Sequence, residues 1–146
     1  NPANKHKAVA ISVKQFHYRF TNHLDVEQSA PLHERYCVPA AGHVLFEGAS
    51  ANFSKKSALK VDFANAGRAP LLFIAGGIDH VSPPSINKSN LKKYSKSAAV
   101  TDYREFPGRS HFTVGQDGWE AVADYALSWA TDAAAKRAGS SGVSTQ

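Results

Sequence analysis

The chain has 146 residues, of which 42% are hydrophobic and 20% are charged, and its formal net charge is +5. This length allows one domain with a hydrophobic core rather than two. No apolar run approaches the ~20 residues of a membrane-spanning helix, so no membrane association is predicted and a cytoplasmic location is expected. The basic residues are dispersed along the chain, which argues against nucleic-acid binding.

The N-terminal part of the chain predicts helices with aromatic residues on their inner side. Phe16 and Phe20 are four residues apart, so a helix places them on one face. The sequence Asp25–Gln28 has the form of a capping box and begins a helix that continues to about Tyr36. Leu32 and Tyr36 are also four apart and are expected to line the inner side of that helix.

Strands and helices alternate between residue 56 and about residue 132. Leu71–Ala75 is apolar without alternation, which is typical of a strand buried on both faces. Ser85–Tyr94 predicts a helix, and the partly alternating Thr101–Phe106 predicts a second strand nearer the sheet edge. Large apolar residues recur at helical spacing in Trp119–Trp129 and predict an amphipathic helix. This order predicts a parallel strand–helix–strand unit in an α/β fold.

Three regions follow from these patterns. Residues 1–55 are predicted to form a helical cap, residues 56–132 an α/β core part, and residues 133–146 a disordered, Gly/Ser-rich tail. Two parallel strands with apolar faces need neighbouring strands and covering helices, and this sequence supplies too few. The sheet is therefore expected to be incomplete, with its missing strands supplied by another polypeptide or its open edge covered by self-association.

Asp79 and His111 are the candidate catalytic residues. Each follows a predicted parallel strand and a Gly-containing loop, and such loops converge at the carboxyl edge of a sheet. In a catalytic triad a His deprotonates the nucleophile, while a carboxylate fixes its tautomer and stabilises the imidazolium. The order of acid before His is that of an α/β-hydrolase triad. A loop carboxylate and a surface-loop His are the structural alternatives.

The sequence contains no credible nucleophile or metal site. It has no Gly-x-Ser-x-Gly elbow, Ser110 is adjacent to His111 rather than on an elbow, and Cys37 is expected to be a small packing residue. Four further histidines lack the spacing of metal ligands, so neither a metal ion nor another cofactor is predicted. They are His17, His23, His33 and His43.

Several motifs give the chain a resemblance to a known family. They are Leu71–Asp79 and Gly108–His111, together with Leu32–Tyr36 and Leu45–Gly48 in the helical part. Through these residues, the chain from 1 to about 132 resembles the C-terminal half of bacterial α/β-hydrolase-fold proteins with a helical cap. The resemblance implies a partial α/β-hydrolase fold in which the strands that precede Asp79 and His111 are the last two of the sheet.

The resemblance also implies a function. It predicts a hydrolase of ester-like or related small apolar substrates, with Asp79 as the acid and His111 as the general base. Without a nucleophile the chain is expected to be inactive alone and to need an N-terminal half that carries one. The alternative is a non-catalytic remnant that binds a small molecule or a protein. Five aromatic residues of the cap are candidates to line an apolar substrate pocket: Phe16, Phe20, Tyr36, Phe46 and Phe53.

Overall fold

The structure is a computed structural model that describes residues 5–50 and 60–141. The chain divides into two compact units, Asn1–Asp62 and Phe63–Gln146, so the boundary lies later than the predicted one at residue 55. Within the described residues the fold is mixed α/β, with five α-helices and two sheets of two strands each. None of these helices is long and apolar enough to cross a membrane.

The first unit contains a helical hairpin and a small antiparallel sheet. The hairpin consists of α1 (Val13–Phe20) and α2 (Val26–Tyr36). Strand β1 (Ala8–Val9) precedes the hairpin and pairs in antiparallel fashion with β2 (Ala40–Ala41), which follows it. Helix α3 (Gly42–Ser50) begins directly after β2. The small sheet therefore joins the two ends of the hairpin.

Both hairpin helices begin at capping boxes. The Ser12 hydroxyl accepts from the Gln15 backbone N–H at 3.3 Å, and the Gln15 side chain accepts from the Ser12 N–H at 2.9 Å. Asp25 and Gln28 exchange the same pair of hydrogen bonds at 2.8 and 3.1 Å. The capping box predicted at Asp25 is thus confirmed, and it satisfies backbone donors that have no partner within a helix.

The inner side of the hairpin carries the aromatic residues predicted for α1, but α2 contributes His33 to it rather than Tyr36. Phe16 is 5% exposed and stacks on Phe20 with 5.3 Å between ring centroids. His33 packs edge-on against Phe16 and donates from Nε2 to the Ile11 carbonyl at 2.8 Å. His33 thus already reaches Ile11, which precedes the first residue of α1. Tyr36 follows His33 at the end of α2, beyond the part of this helix that packs against α1. Tyr36 is 51% exposed, so its predicted inward position is wrong.

The second unit contains the strand–helix–strand pattern that the sequence predicts. Strand β3 (Leu71–Gly76) leads to α4 (Pro84–Lys93) and a 3₁₀ turn (Tyr94–Lys96). Strand β4 (Thr101–Phe106) and α5 (Glu120–Ser141) follow. The first residue of α4 is proline, which suits this position because the first backbone N–H groups of a helix have no partner. The parallel pairing of β3 with β4 is confirmed.

Helices lie on both faces of β4. Arg104 and Phe106 point to one face, where both contact Tyr125 of α5. The ring centroids of Phe106 and Tyr125 are 5.9 Å apart, and the guanidinium carbon of Arg104 lies 5.0 Å from the Tyr125 centroid. Glu105 points to the other face and pairs with Lys88 of α4 at 2.9 Å. This alternation is expected of a strand between two layers.

Strand β3 has a neighbour on one side only among the described residues. Leu71 lies opposite Thr101 of β4, and this register continues to the ends of both strands. Ala75 is buried, but the four residues before it are partly exposed. The described residues therefore do not provide the burial on both faces that the apolar sequence of β3 predicts.

Helix α5 extends further than the sequence pattern indicates. Val122 is buried on its inner side, as predicted. The helix continues to Ser141, whereas the sequence predicts a disordered tail from residue 133, and that prediction is wrong for residues 133–141. The physical reason is the run Ala133–Ala138, which is rich in the residue with the highest helix propensity. Residues 142–146 of the predicted tail lie outside the described residues.

Candidate active site

Asp79 and His111 lie in loops at the same edge of the parallel sheet. Asp79 follows β3 and His111 follows β4, and the last residues of these strands, Gly76 and Phe106, are paired. Both loops therefore leave the carboxyl ends of adjacent strands, where the ligands and catalytic groups of parallel sheets collect. The structure brings together the two residues that the sequence selects.

The two side chains are hydrogen bonded to each other. The Nδ1 atom of His111 lies 2.8 Å from Oδ2 of Asp79, with the Asp79 side chain 7% exposed and that of His111 32% exposed. An ionised carboxylate can only accept, so the proton of this contact belongs to Nδ1. A neutral imidazole in that tautomer has its lone pair on Nε2. This is the arrangement that a general base requires.

The backbone fixes the second carboxylate oxygen of Asp79. Its Oδ1 accepts from the N–H groups of Val81 at 2.7 Å and Ser82 at 2.8 Å. Burial alone raises the pKa of Asp79, but the hydrogen bonds from His111, Ser82 and Val81 outweigh it and leave this pKa below its ordinary value. The carboxylate is therefore ionised at neutral pH and aimed at the imidazole.

A glycine allows the two loops to approach closely. A Cβ atom at Gly76 would lie 2.5 Å from the carbonyl oxygens of both Arg109 and Ser110. Next to this contact, the Ile78 N–H donates to the Arg109 carbonyl at 3.0 Å. A side chain at Gly76 would push the His111 loop away from the Asp79 loop, because the two nearest atoms it would meet are backbone; the third, at 2.9 Å, is the Thr113 hydroxyl oxygen.

Ser110 supports the loop that carries His111. It is fully buried, and its hydroxyl accepts from the Phe112 N–H at 3.2 Å. Its own N–H donates to the Gln116 side chain at 3.2 Å, and its carbonyl accepts from the Thr113 hydroxyl at 2.5 Å. A substrate has no access to a hydroxyl in this position, so Ser110 is not the nucleophile of the site.

The five aromatic candidates for a substrate pocket belong to the first unit. Phe16 and Phe20 contact each other within the helical hairpin, and the burial of Phe16 is that of a core residue. Tyr36 is exposed at the end of α2, and Phe46 is half-buried on α3. Phe53 lies outside the described residues. Core packing thus accounts for Phe16 and Phe20 without a substrate.

A buried polar cluster in the hairpin was not apparent from the sequence. Ser29 and Thr21 are both fully buried. The Ser29 hydroxyl donates to the Asp25 carbonyl at 2.7 Å and accepts from the Thr21 hydroxyl at 2.8 Å and from Nδ1 of His17 at 3.2 Å. The signal that could have revealed it is the four-residue spacing of His17 in α1 and Thr21 at its C-cap, which brings two polar side chains to the same side of the helix end.

Neither a metal site nor the groove described next competes with the Asp79–His111 pair among the described residues. Within residues 5–50 and 60–141, no group of three or more His, Cys, Asp or Glu side chains could hold a metal ion. An open groove of about 250 Å³ is lined by Pro70, Trp129, Ala130, Ala133 and Ala134. Pro70 directly precedes β3, so this groove lies at the end of the strand opposite to Asp79 and does not belong to the pair.

Comparisons with protein families, with characterised proteins and with solved structures give no match for this chain. The fold and the site define a mixed α/β protein with a carboxylate–imidazole pair at the carboxyl edge of two parallel strands.

Proposed function

We propose that this chain provides the acid and the general base of a hydrolytic triad within a partial α/β-hydrolase fold. The observation that carries the proposal is the 2.8 Å hydrogen bond from Nδ1 of His111 to the fixed carboxylate of Asp79. The expected substrates are small, apolar and ester-like. The nucleophile lies outside this chain, which contains no Gly-x-Ser-x-Gly elbow.

The proposed reaction uses the two residues in turn. The Nε2 atom of His111 takes the proton of the nucleophile as it attacks the ester carbonyl, and then gives that proton to the departing alcohol. A water molecule that is deprotonated in the same way releases the acyl group. Asp79 remains ionised throughout, holds the imidazole in the required tautomer and stabilises the imidazolium in each step.

The two edges of the sheet support the idea of a missing strand beside β3. Natural edge strands carry charges that prevent further pairing, and β4 has Asp102, Arg104 and Glu105. The sequence of β3, Leu71–Gly76, contains no charged residue at all. Since a nucleophile elbow follows a strand, that strand must run parallel to β3 to bring its nucleophile to His111.

A second copy of this chain does not meet that requirement. Partners related by a two-fold axis make identical contacts, which antiparallel strands satisfy because opposed residues exchange both hydrogen bonds. In such a dimer the two β3 strands would run in opposite directions. The loops of the second copy would then lie at the far end from His111. We therefore favour a non-identical strand over self-association as the partner of β3.

The test measures hydrolysis of p-nitrophenyl acetate by the full protein in which this chain occurs, with every subunit that copurifies. Substitution His111→Ala should lower kcat about a million-fold, as removal of a triad His does in subtilisin. The matched control is His80→Ala, which removes an exposed imidazole close to Asp79 in sequence and should leave turnover unchanged.

Two further measurements complete this test. This chain alone should show no turnover, and a fluorophosphonate should label the assembled protein on a residue outside the 146 residues if the nucleophile is a serine. Turnover that survives His111→Ala would contradict the proposal. Binding of a small apolar ligand without any turnover by the assembled protein would favour the non-catalytic alternative.

A further inference from the structure

The side chain of Arg109 binds the backbone of the loop that carries His111. Its Nη1 donates to the Thr113 carbonyl at 3.2 Å, and its Nη2 donates to the carbonyl of Asp117 at 3.4 Å and also to that of Gly118. Arg109 precedes His111 in the chain, and all three carbonyls follow it. The guanidinium therefore connects the two sides of the loop with His111 between them.

The backbone of Arg109 contacts the loop that carries the acid. The Arg109 carbonyl oxygen accepts from the Ile78 N–H at 3.0 Å and would lie 2.5 Å from a Cβ atom at Gly76. Ile78 directly precedes Asp79. Arg109 thus joins the Asp79 loop to both sides of the His111 loop. None of these hydrogen bonds is made to the side chain of Asp79 or His111.

We propose that Arg109 is a positioning residue for His111, an inference that rests on the proposed function. It acts by holding the His111 loop against the Asp79 loop, so that Nδ1 stays within hydrogen-bond distance of Oδ2. The planar fork of a guanidinium presents several N–H donors in fixed directions, which suits three carbonyls from different parts of one loop. A lysine at this position carries its charge on a single ammonium group at the end of a flexible side chain. It is therefore expected to replace only some of the three hydrogen bonds of Arg109.

The chain offers a matched control at the other end of the same strands. Arg68 donates to the carbonyls of Ala69 at 2.9 Å and of Val100 and Ala99, both at 3.1 Å. It is a comparable arginine-to-backbone clamp, but it lies before β3. Removing it should lower stability without moving His111, so it separates loss of stability from loss of position.

The test compares Arg109→Met, Arg109→Lys and Arg68→Met in this chain by NMR and thermal unfolding. The readout is the pair of imidazole ¹⁵N chemical shifts of His111, which report the tautomer and are assigned by their loss in His111→Ala. The Arg109→Met substitution should reduce the fraction protonated on Nδ1, with Arg109→Lys intermediate. The Arg68→Met substitution should lower Tm and leave both shifts unchanged.

Two results would overturn the positioning role of Arg109. One is an unchanged His111 tautomer in both Arg109 variants, and the other is an equal change in Arg68→Met. If Arg109→Met does not fold, Arg109→Lys still decides the question. A wild-type chain without the Nδ1-protonated tautomer would also overturn it, because the hydrogen bond on which it rests would then be absent.

Activity separates this inference from the proposed function. In the assembled protein Arg109→Met should lower kcat by about 100-fold, the effect expected of a displacement near 1 Å, with KM little changed. If His111→Ala leaves turnover intact, the proposed function fails while the NMR result still decides the role of Arg109. If His111→Ala abolishes turnover but Arg109→Met changes neither the tautomer nor kcat, only the positioning role fails.

Discussion

Two histidines of this chain use the same ring atom in different environments. In the helical hairpin, Nδ1 of His17 lies 3.2 Å from the hydroxyl of Ser29. At the ends of the parallel strands, Nδ1 of His111 lies 2.8 Å from the carboxylate of Asp79. The first contact has the residue types of a His–Ser catalytic pair and the second does not contain a nucleophile.

The surroundings decide which of the two contacts can support catalysis. The only proton of the Ser29 hydroxyl is donated to the Asp25 carbonyl, and Ser29 is fully buried, so its oxygen is not available to attack a substrate. His111 is partly exposed, and its Nδ1 proton is fixed by an ionised carboxylate. A hydroxyl near a histidine is therefore weak evidence for catalysis, whereas an oriented imidazole with solvent access is stronger.

Among the substitutions that test this comparison, the one that removes the charge of Asp79 from the strand-end pair should have the largest effect. Asp79→Asn in the assembled protein should lower kcat about 10⁴-fold, because an amide favours the wrong imidazole tautomer while leaving the geometry intact, as in serine proteases. Hydrolysis of p-nitrophenyl acetate measures this loss, and the imidazole ¹⁵N shifts report the tautomer. An unchanged kcat in Asp79→Asn would mean that the Asp79–His111 pair, like the hairpin cluster, has a structural role only.

A smaller effect is expected when the contact between the loops is disturbed. Gly76→Ala places a methyl group 2.5 Å from two backbone carbonyls, and relief of this clash moves the His111 loop. We expect kcat to fall by about 100-fold and stability to fall by about 1–3 kcal/mol. Gly48→Ala is the control, since a Cβ there meets nothing within 4 Å, and it should be neutral or slightly stabilising in α3.

Local signals in the sequence were sufficient for the strand-end pair. Each signal spans only a few positions. Asp79 follows an apolar run and a glycine-containing turn, and His111 follows a second strand and its own turn residues. Parallel pairing of adjacent strands then brings the two loops together without further information. The capping box at Asp25 is local in the same way, and it too was found.

Tertiary contacts account for what the sequence did not reveal. Helical spacing makes several positions of α2 equivalent, and only the folded hairpin shows that His33 packs against Phe16 while Tyr36 is exposed. The hydrogen bonds of Arg109 go to carbonyl groups whose positions depend on the folded loop, so no sequence pattern predicts them. The His17 cluster likewise exists only when α2 covers α1.

Removal of the hydroxyl from the hairpin cluster should affect stability alone. Ser29→Ala leaves the buried Thr21 hydroxyl and the His17 Nδ1 without an acceptor, which is expected to reduce the free energy of unfolding by about 1–3 kcal/mol. Urea denaturation measures this change. Glu34→Ala, on the exposed side of the same helix, should stay within about 0.5 kcal/mol. Loss of turnover in Ser29→Ala at a temperature where the variant is fully folded would show that the hairpin cluster takes part in catalysis.

The smallest expected effect is a difference in acid sensitivity between the two regions. The lowered pKa of Asp79 means that its ionised form stabilises the folded state above its ordinary value of 3.8. This stabilisation is lost as pH falls from about that value through the lower folded pKa. The difference in unfolding free energy between wild type and Asp79→Asn should therefore shrink with acidification in this window. The difference between wild type and Ser29→Ala should stay constant there, because that substitution removes a hydroxyl, which does not titrate in this window. A constant difference for Asp79→Asn would mean that the carboxylate gains nothing from His111, Val81 and Ser82 in the folded chain.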